Sequence, residues 1–200
     1  MKLIISTTSP YARKARVLLR ERGLQSGVSE VITNVYESEL VTEYNPLGRV
    51  PVLVDQGRAI YDSIVICQYL NNYDAEKQAC AGEATPIAWD AQIRTALADG
   101  VIDSALQVVM EHRRPTENQS DMVIQRQSAH IFRGLGACEE KFELFETHFD
   151  IPSIGLACAL SYLDFRLPYM KWRDKNPKLA AWFSNISQYD SMRETEFKIM

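Results

Sequence analysis

Strand-like and helix-like runs alternate through the first third of this chain, and after Tyr73 the strand pattern stops. Residues 1–6 read as a strand. Residues 10–23 read as a helix, with Ala15, Leu18, Leu19 and Arg22 at helical spacing and Gly23 as a stop. Residues 28–34 alternate as a second strand, and 37–44 form a short helix before the Asn45-Pro46 turn. Residues 52–54 and 59–61 are two more short strands joined by a turn over 55–58. Asp62 then caps a helix reaching Tyr73, with Ile64, Ile66, Cys67 and Leu70 on its buried side. The order is β-α-β followed by β-β-α.

Residues 74–86 are small and polar, as in a linker. Beyond them the spacing is helical. Ile93, Leu97, Val101 and Val108 form one apolar stripe; Ile131, Leu135, Cys138, Phe142, Phe145 and Phe149 form another. Arg114-Pro115-Thr116 separates the two. Asp150 caps a third long helix with Pro152 in its first turn, Pro168 ends or kinks it, and Asn176-Pro177 opens a last one. The expected fold is therefore an α/β N-terminal domain over residues 1–76, a linker over 77–84 and an all-α domain over 85–200. The groove between two such small domains is the default place for a ligand.

Composition narrows the function. A chain of 200 residues, 46% hydrophobic and 24% charged, can bury a full core. A net charge of -4 leaves no electrostatic footprint for nucleic acid. The basic stretch Arg13, Lys14, Arg16, Arg20 and Arg22 reads as a solvated helix face. The opening apolar run is too short for a secretory signal, and no stretch approaches a membrane span, so a cytoplasmic protein is expected. Cys67, Cys80, Cys138 and Cys158 lie far apart, which predicts thiols in a reducing compartment and not a disulfide framework or zinc site. His112, His130 and His148 are scattered singly, so no metal is expected.

Three places carry candidate chemistry. Ser9, directly before Pro10, sits at a strand-to-helix turn. Serine before proline is a favoured helix cap. A helix N-terminus also stabilises a neighbouring anion, so a thiol brought there becomes more acidic and a hydroxyl can donate to the thiolate. Ser9 would be a donor and not a nucleophile, since no histidine base stands near it in sequence. Ser6, Thr7, Thr8 and Tyr11 are alternative hydroxyls. At Val50-Pro51 either isomer is open. A cis bond would turn the backbone sharply and leave the Val50 N–H and C=O to pair with an extended peptide, whose carboxylate Arg49 could reach. Asp62-Ser63 caps a helix, and it could equally hold the two ends of an amino acid: Ser63 a carboxylate, Asp62 an ammonium.

In this order these residues resemble the glutathione S-transferase family. Ser9-Pro10-Tyr11-x-x-Lys14-x-Arg16 looks like the motif of serine-type members. Asn45-Pro46-x-Gly48-Arg49-Val50-Pro51-Val52-Leu53 looks like the cis-proline loop, and Asp62-Ser63-x-x-Ile66 like the γ-glutamyl-binding signature. Ala96-Leu97-Ala98-Asp99-Gly100-x-x-Asp103 and Ala157-Cys158-Ala159-x-x-Tyr162-Leu163-x-Phe165-Arg166 resemble the bacterial YibF-like branch.

The resemblance implies a thioredoxin-like N-terminal domain, an all-helical C-terminal domain and a homodimer. It implies glutathione as co-substrate, Ser9 as thiolate donor, and Arg49, Val50, Pro51, Asp62 and Ser63 as glutathione contacts. A small hydrophobic electrophile would then lie against Tyr11, Val108, Met110, Arg113 and Tyr162. The implied activity is glutathione transfer to that electrophile. The alternative is a regulatory or chaperone-like binding module of the same fold. A third reading, a glutathione-linked reductase, would need Cys67 or Cys158 near the thiol. The chain departs from the family in two respects. Ser153 stands where an aspartate usually completes the capping box opened at Asp150, which puts that helix's local stability in question. Serine, not cysteine, stands at position 9, which disfavours mixed-disulfide chemistry.

Overall fold

A computed structural model describes residues 1–36, 38–73 and 89–199. The linker expected over 77–84 and Cys80 lie outside the described residues. Contacts divide the chain into two units, Met1–Ile87 with Asp190–Met200, and Ala88–Tyr189.

The first unit is built on a four-stranded sheet of order β2-β1-β3-β4. Its strands are β1 (Lys2–Ile5), β2 (Ser29–Ile32), β3 (Val52–Asp55) and β4 (Arg58–Ile60). β1 runs parallel to β2 and antiparallel to β3, and β3 runs antiparallel to β4. Strand alternation splits the side chains between two faces. Ile4 and Val52 pack with Val41 of α2 (Glu39–Tyr44) on one face. Leu3, Ile5 and Leu53, all fully buried, point to the other. There α1 (Pro10–Glu21) and α3 (Ser63–Asn71) pack on each other.

The second unit is helical. It contains α4 (Trp89–His112), α5 (Asp121–Glu140), the short α6 (Glu143–Glu146), α7 (Ile151–Arg166) and α8 (Pro177–Ile186). α7 is the central helix: Leu156, Ala157, Cys158, Leu160 and Leu163 are all buried, and α4 packs against both α7 and α5. Gly134 permits the close approach of α5 to α4, since a Cβ there would sit 2.7 Å from Val101 Cγ2. Asp150 caps α7 by accepting the Ser153 amide at 3.1 Å. Ser153 does not complete a capping box. Its buried hydroxyl donates to the Phe145 carbonyl at 2.9 Å and ties the start of α7 to α6.

The last helix, α9 (Asp190–Arg193), and the residues after it pack with α1 in the first unit, although they follow the helical domain in sequence. This corrects the reading of the basic stretch. Arg13 is 4%, Lys14 2% and Arg16 8% exposed, so these are not solvated side chains. Arg13 donates to the Met192 carbonyl at 2.9 Å, and Arg16 to Glu30 at 2.8 Å and to the Thr195 carbonyl at 3.3 Å. A guanidinium survives burial when carbonyls and a carboxylate take its N–H groups, and here the chain's own end supplies most of them.

Candidate functional site

Strand register gathers the candidate residues. Ile4 pairs with Val52 across the antiparallel β1–β3 ladder, so the chain leaving β1 and the chain entering β3 lie at the same end of the sheet. Leu53 pairs with Ile60, so the chain leaving β4 lies at that end too. Ser9 follows β1, Arg49-Val50-Pro51 precede β3, and Asp62-Ser63 follow β4. Two helices, α1 and α3, begin there, and both present the positive ends of their dipoles.

Ser9 is the cap of α1. Its backbone is extended (φ -86°, ψ 120°), and its Oγ accepts the Ala12 amide at 3.2 Å. That bond uses a lone pair and leaves the hydroxyl hydrogen available as a donor. Of the hydroxyls just before it, one hydrogen of the Ser6–Thr8 pair and that of Thr7 are in use. Ser6 and Thr8 hydrogen-bond each other at 3.2 Å, and Thr7 donates to the Lys198 carbonyl at 2.7 Å.

The Val50–Pro51 peptide bond is cis. The loop before it is organised by Asn45, read from sequence as a turn residue at the head of the cis-proline motif. Asn45 is buried; its amide donates to the Arg49 carbonyl at 2.8 Å and its oxygen accepts the Leu47 N–H at 3.0 Å. Gly48, at φ +62°, takes the left-handed conformation that this loop requires. The main chain of Val50 makes no hydrogen bond among the described residues, and the Arg49 side chain is exposed.

Asp62 caps α3 through one carboxylate oxygen, which accepts the Ile64 amide at 3.1 Å. Ser63, the next residue, is 3% exposed overall, and its hydroxyl, which still reaches solvent, makes no hydrogen bond to another described residue. This hydroxyl, at a helix N-terminus beside a free carboxylate oxygen, suits a ligand that carries a carboxylate next to an ammonium.

The residues expected around an electrophile lie on α1, α4 and α7 and just past α4. Val108 and Met110 lie on opposite sides of α4, one fully buried and one exposed, because two residues along a helix turn through a little more than half a circle. Tyr162 is buried within α7 and Arg113 is exposed just past α4. Tyr11 belongs to the first unit, on α1. Cys67, Cys138 and Cys158 are all buried, and burial pushes the Cys138 thiol up to about 12. Among the described residues no three His, Cys, Asp or Glu side chains come together as a metal site, and no helix is long and apolar enough to cross a membrane.

Residues 8–72 match the family model of the glutathione S-transferase N-terminal domain, and residues 121–185 that of the C-terminal domain. The chain is 33% identical to the uncharacterised GST-like protein YibF of Escherichia coli K12, over 98% of both chains. A glutathione transferase family member from Pseudomonas fluorescens Pf-5, solved with bound glutathione, is 35% identical over 99% of both chains, with a TM-score of 0.89. A second structure under that description, with bound S-(propanoic acid)-glutathione, is 36% identical over 100% of both chains, with a TM-score of 0.85.

Proposed function

The chain belongs to the glutathione S-transferase family, and from that premise we propose that it binds glutathione at the sheet end just described and adds its sulfur to a small electrophile. The observation that carries this reading is the placement of the Ser63 hydroxyl, at a helix start beside the Asp62 carboxylate and with no hydrogen bond to another described residue.

In this reading the γ-glutamyl carboxylate accepts from the Ser63 hydroxyl and N–H, and the γ-glutamyl ammonium faces the second carboxylate oxygen of Asp62. The main chain of the cysteinyl residue lies extended against Val50, whose N–H and C=O take it as a short added strand, with Pro51 holding the turn. Arg49 meets the far carboxylate. The sulfur then lies at the start of α1. There the Ser9 hydroxyl donates to it, the helix dipole favours its anion, and its pKa falls below the ordinary thiol value of about 8.5. The thiolate forms a bond to a carbon of the electrophile, whose leaving group departs with its bonding pair or whose double bond takes up the displaced pair and a proton from water, and the protein contributes acidity and placement. The propanoic-acid ligand of the Pseudomonas relative is glutathione with a carbon group on sulfur, the kind of molecule that such an addition leaves behind. The buried cysteines favour this chemistry over a cysteine-based reductase.

Calorimetry tests the binding mode. Glutathione should bind saturably, and cysteinylglycine, which lacks the γ-glutamyl end, should bind far more weakly. Equal affinity for the two would remove Asp62 and Ser63 from the site.

A further inference from the structure

The C-terminal segment grips the chain on both sides of Ser9. Before it, the Thr7 hydroxyl donates to the Lys198 carbonyl at 2.7 Å, and the Lys198 amide donates back to the Thr7 carbonyl at 3.4 Å. After it, Arg13 donates to the Met192 carbonyl at 2.9 Å and to Thr195 Oγ1 at 3.4 Å, and its guanidinium lies 4.7 Å from the centre of the Phe197 ring. Further along α1, Arg16 donates to the Thr195 carbonyl at 3.3 Å and Arg20 pairs with Glu194 at 2.8 Å.

The segment is built to stay in place. Thr195 is fully buried, and its hydroxyl donates to the Ser191 carbonyl at 2.7 Å, which closes the tail into a turn. Chain ends ordinarily fray unless they are tied down. Here the ties from Arg13, Arg16 and Arg20 are charge-assisted and fall on one helix, and the Thr7 pair holds the turn before it. They are also selective within the turn that follows β1. Ser6 and Thr8 pair with each other, so Thr7 is the hydroxyl of that turn that reaches out to the tail. Ser9 stands two residues after one anchor and four before the next.

We propose that residues 190–199 are a strap that positions Ser9, with Thr7 and Arg13 as the positioning residues through which it acts. The inference rests on Ser9 serving as the thiolate donor. A donor lowers a thiol pKa only if it is held at hydrogen-bond distance, and a shift on the order of 1 Å is enough to lose most of the effect. The acidity of the bound thiol is thereby coupled to the docking of a segment at the far end of the sequence.

The test uses the full-length protein with bound glutathione and reads thiolate ultraviolet absorbance against pH. Thr7→Val keeps the shape of the side chain and removes its donor; Thr7→Ser keeps the donor. Thr7→Val should raise the bound thiol pKa towards its solution value and lower kcat/KM with a chlorodinitrobenzene probe roughly tenfold. The dissociation constant for glutathione, set mainly at Asp62 and Ser63, should change by less than about twofold. Thr7→Ser should restore the wild-type pH profile. Arg13→Lys, which keeps the charge but loses the fork that reaches Met192 and Thr195, should shift the same profile in the same direction and serves if Thr7→Val does not fold. Ser9→Gly is run alongside. If it raises the thiol pKa while the Thr7 and Arg13 variants match wild type, the strap is overturned and the role of Ser9 stands. If Ser9→Gly leaves the pKa unchanged, the Ser9 reading fails and the strap with it.

Discussion

Ser9 Oγ accepts the amide of Ala12 at 3.2 Å, so the residue that holds the start of α1 is the one assigned to the thiolate. In the proposed function one side chain carries a structural and a chemical duty, and a single substitution confounds them. Ser9→Ala should cost about 0.5–2 kcal/mol of stability through the lost cap. It should also lower turnover by a factor on the order of 10² through the lost donor. Ser9→Gly separates the two, because glycine at a cap costs only about a few tenths of a kcal/mol. Urea unfolding of Ser9→Gly should sit near wild type while its turnover matches that of Ser9→Ala. Turnover near wild type in Ser9→Gly would assign the donor to Thr8 or Tyr11.

Ser63→Ala should behave in the opposite way. Its hydroxyl has no partner among the described residues, so removing it breaks no internal bond and the unfolding midpoint should not fall. A hydrogen bond to a charged ligand group is worth about 1.5–3 kcal/mol, so glutathione affinity should drop roughly tenfold or more by calorimetry. A loss of stability without a loss of affinity would place the hydroxyl in the fold and not in the site.

Acid should weaken the pairing of β2 with α1 through Glu30. Burial alone would raise the Glu30 carboxyl, but the hydrogen bond from Arg20 and the charges of Arg16 and Arg20 overcome it and hold the group below its usual 4.5. A carboxyl depressed in the folded state stabilises it above the unfolded value, and that contribution is lost as the pH falls through the folded value. Wild type should therefore lose its urea midpoint more steeply below about pH 4.5 than Glu30→Gln does. Parallel curves would show that Glu30 contributes nothing to the pH dependence.

Thiol labelling tests the reductase alternative. In a Cys80→Ser background, Ellman's reagent at pH 8 should label nothing rapidly until denaturant is added, because Cys67, Cys138 and Cys158 are all buried. Fast labelling of one of them in the native protein would return cysteine chemistry to consideration.

What could be read from the sequence was local. The caps at Ser9, Asp62 and Asp150 each need a donor only two or three residues away, and all three form as expected. The β-α-β, β-β-α order was legible because strand and helix periods differ. The burial of Arg13 was not, since its carbonyl partner at Met192 lies 179 residues away and charge patterning sees only neighbours. Ser153 satisfied its hydroxyl at Phe145 and not within its own capping box, a choice that depends on how α6 folds back. Val101 and Val108 are buried as their spacing predicts, but Ile93 on the same stripe is 64% exposed. Periodicity selects the face of a helix and is silent on how far along it other elements reach.

The most direct test of the account is the pKa of the glutathione thiol in the wild-type complex, read from thiolate absorbance against pH. The account predicts saturable binding with the thiol at least about one unit below its solution value of about 8.5. Saturable binding with the thiol still titrating at its solution value would contradict it, because neither the Ser9 hydroxyl nor the start of α1 would then be acting on the sulfur.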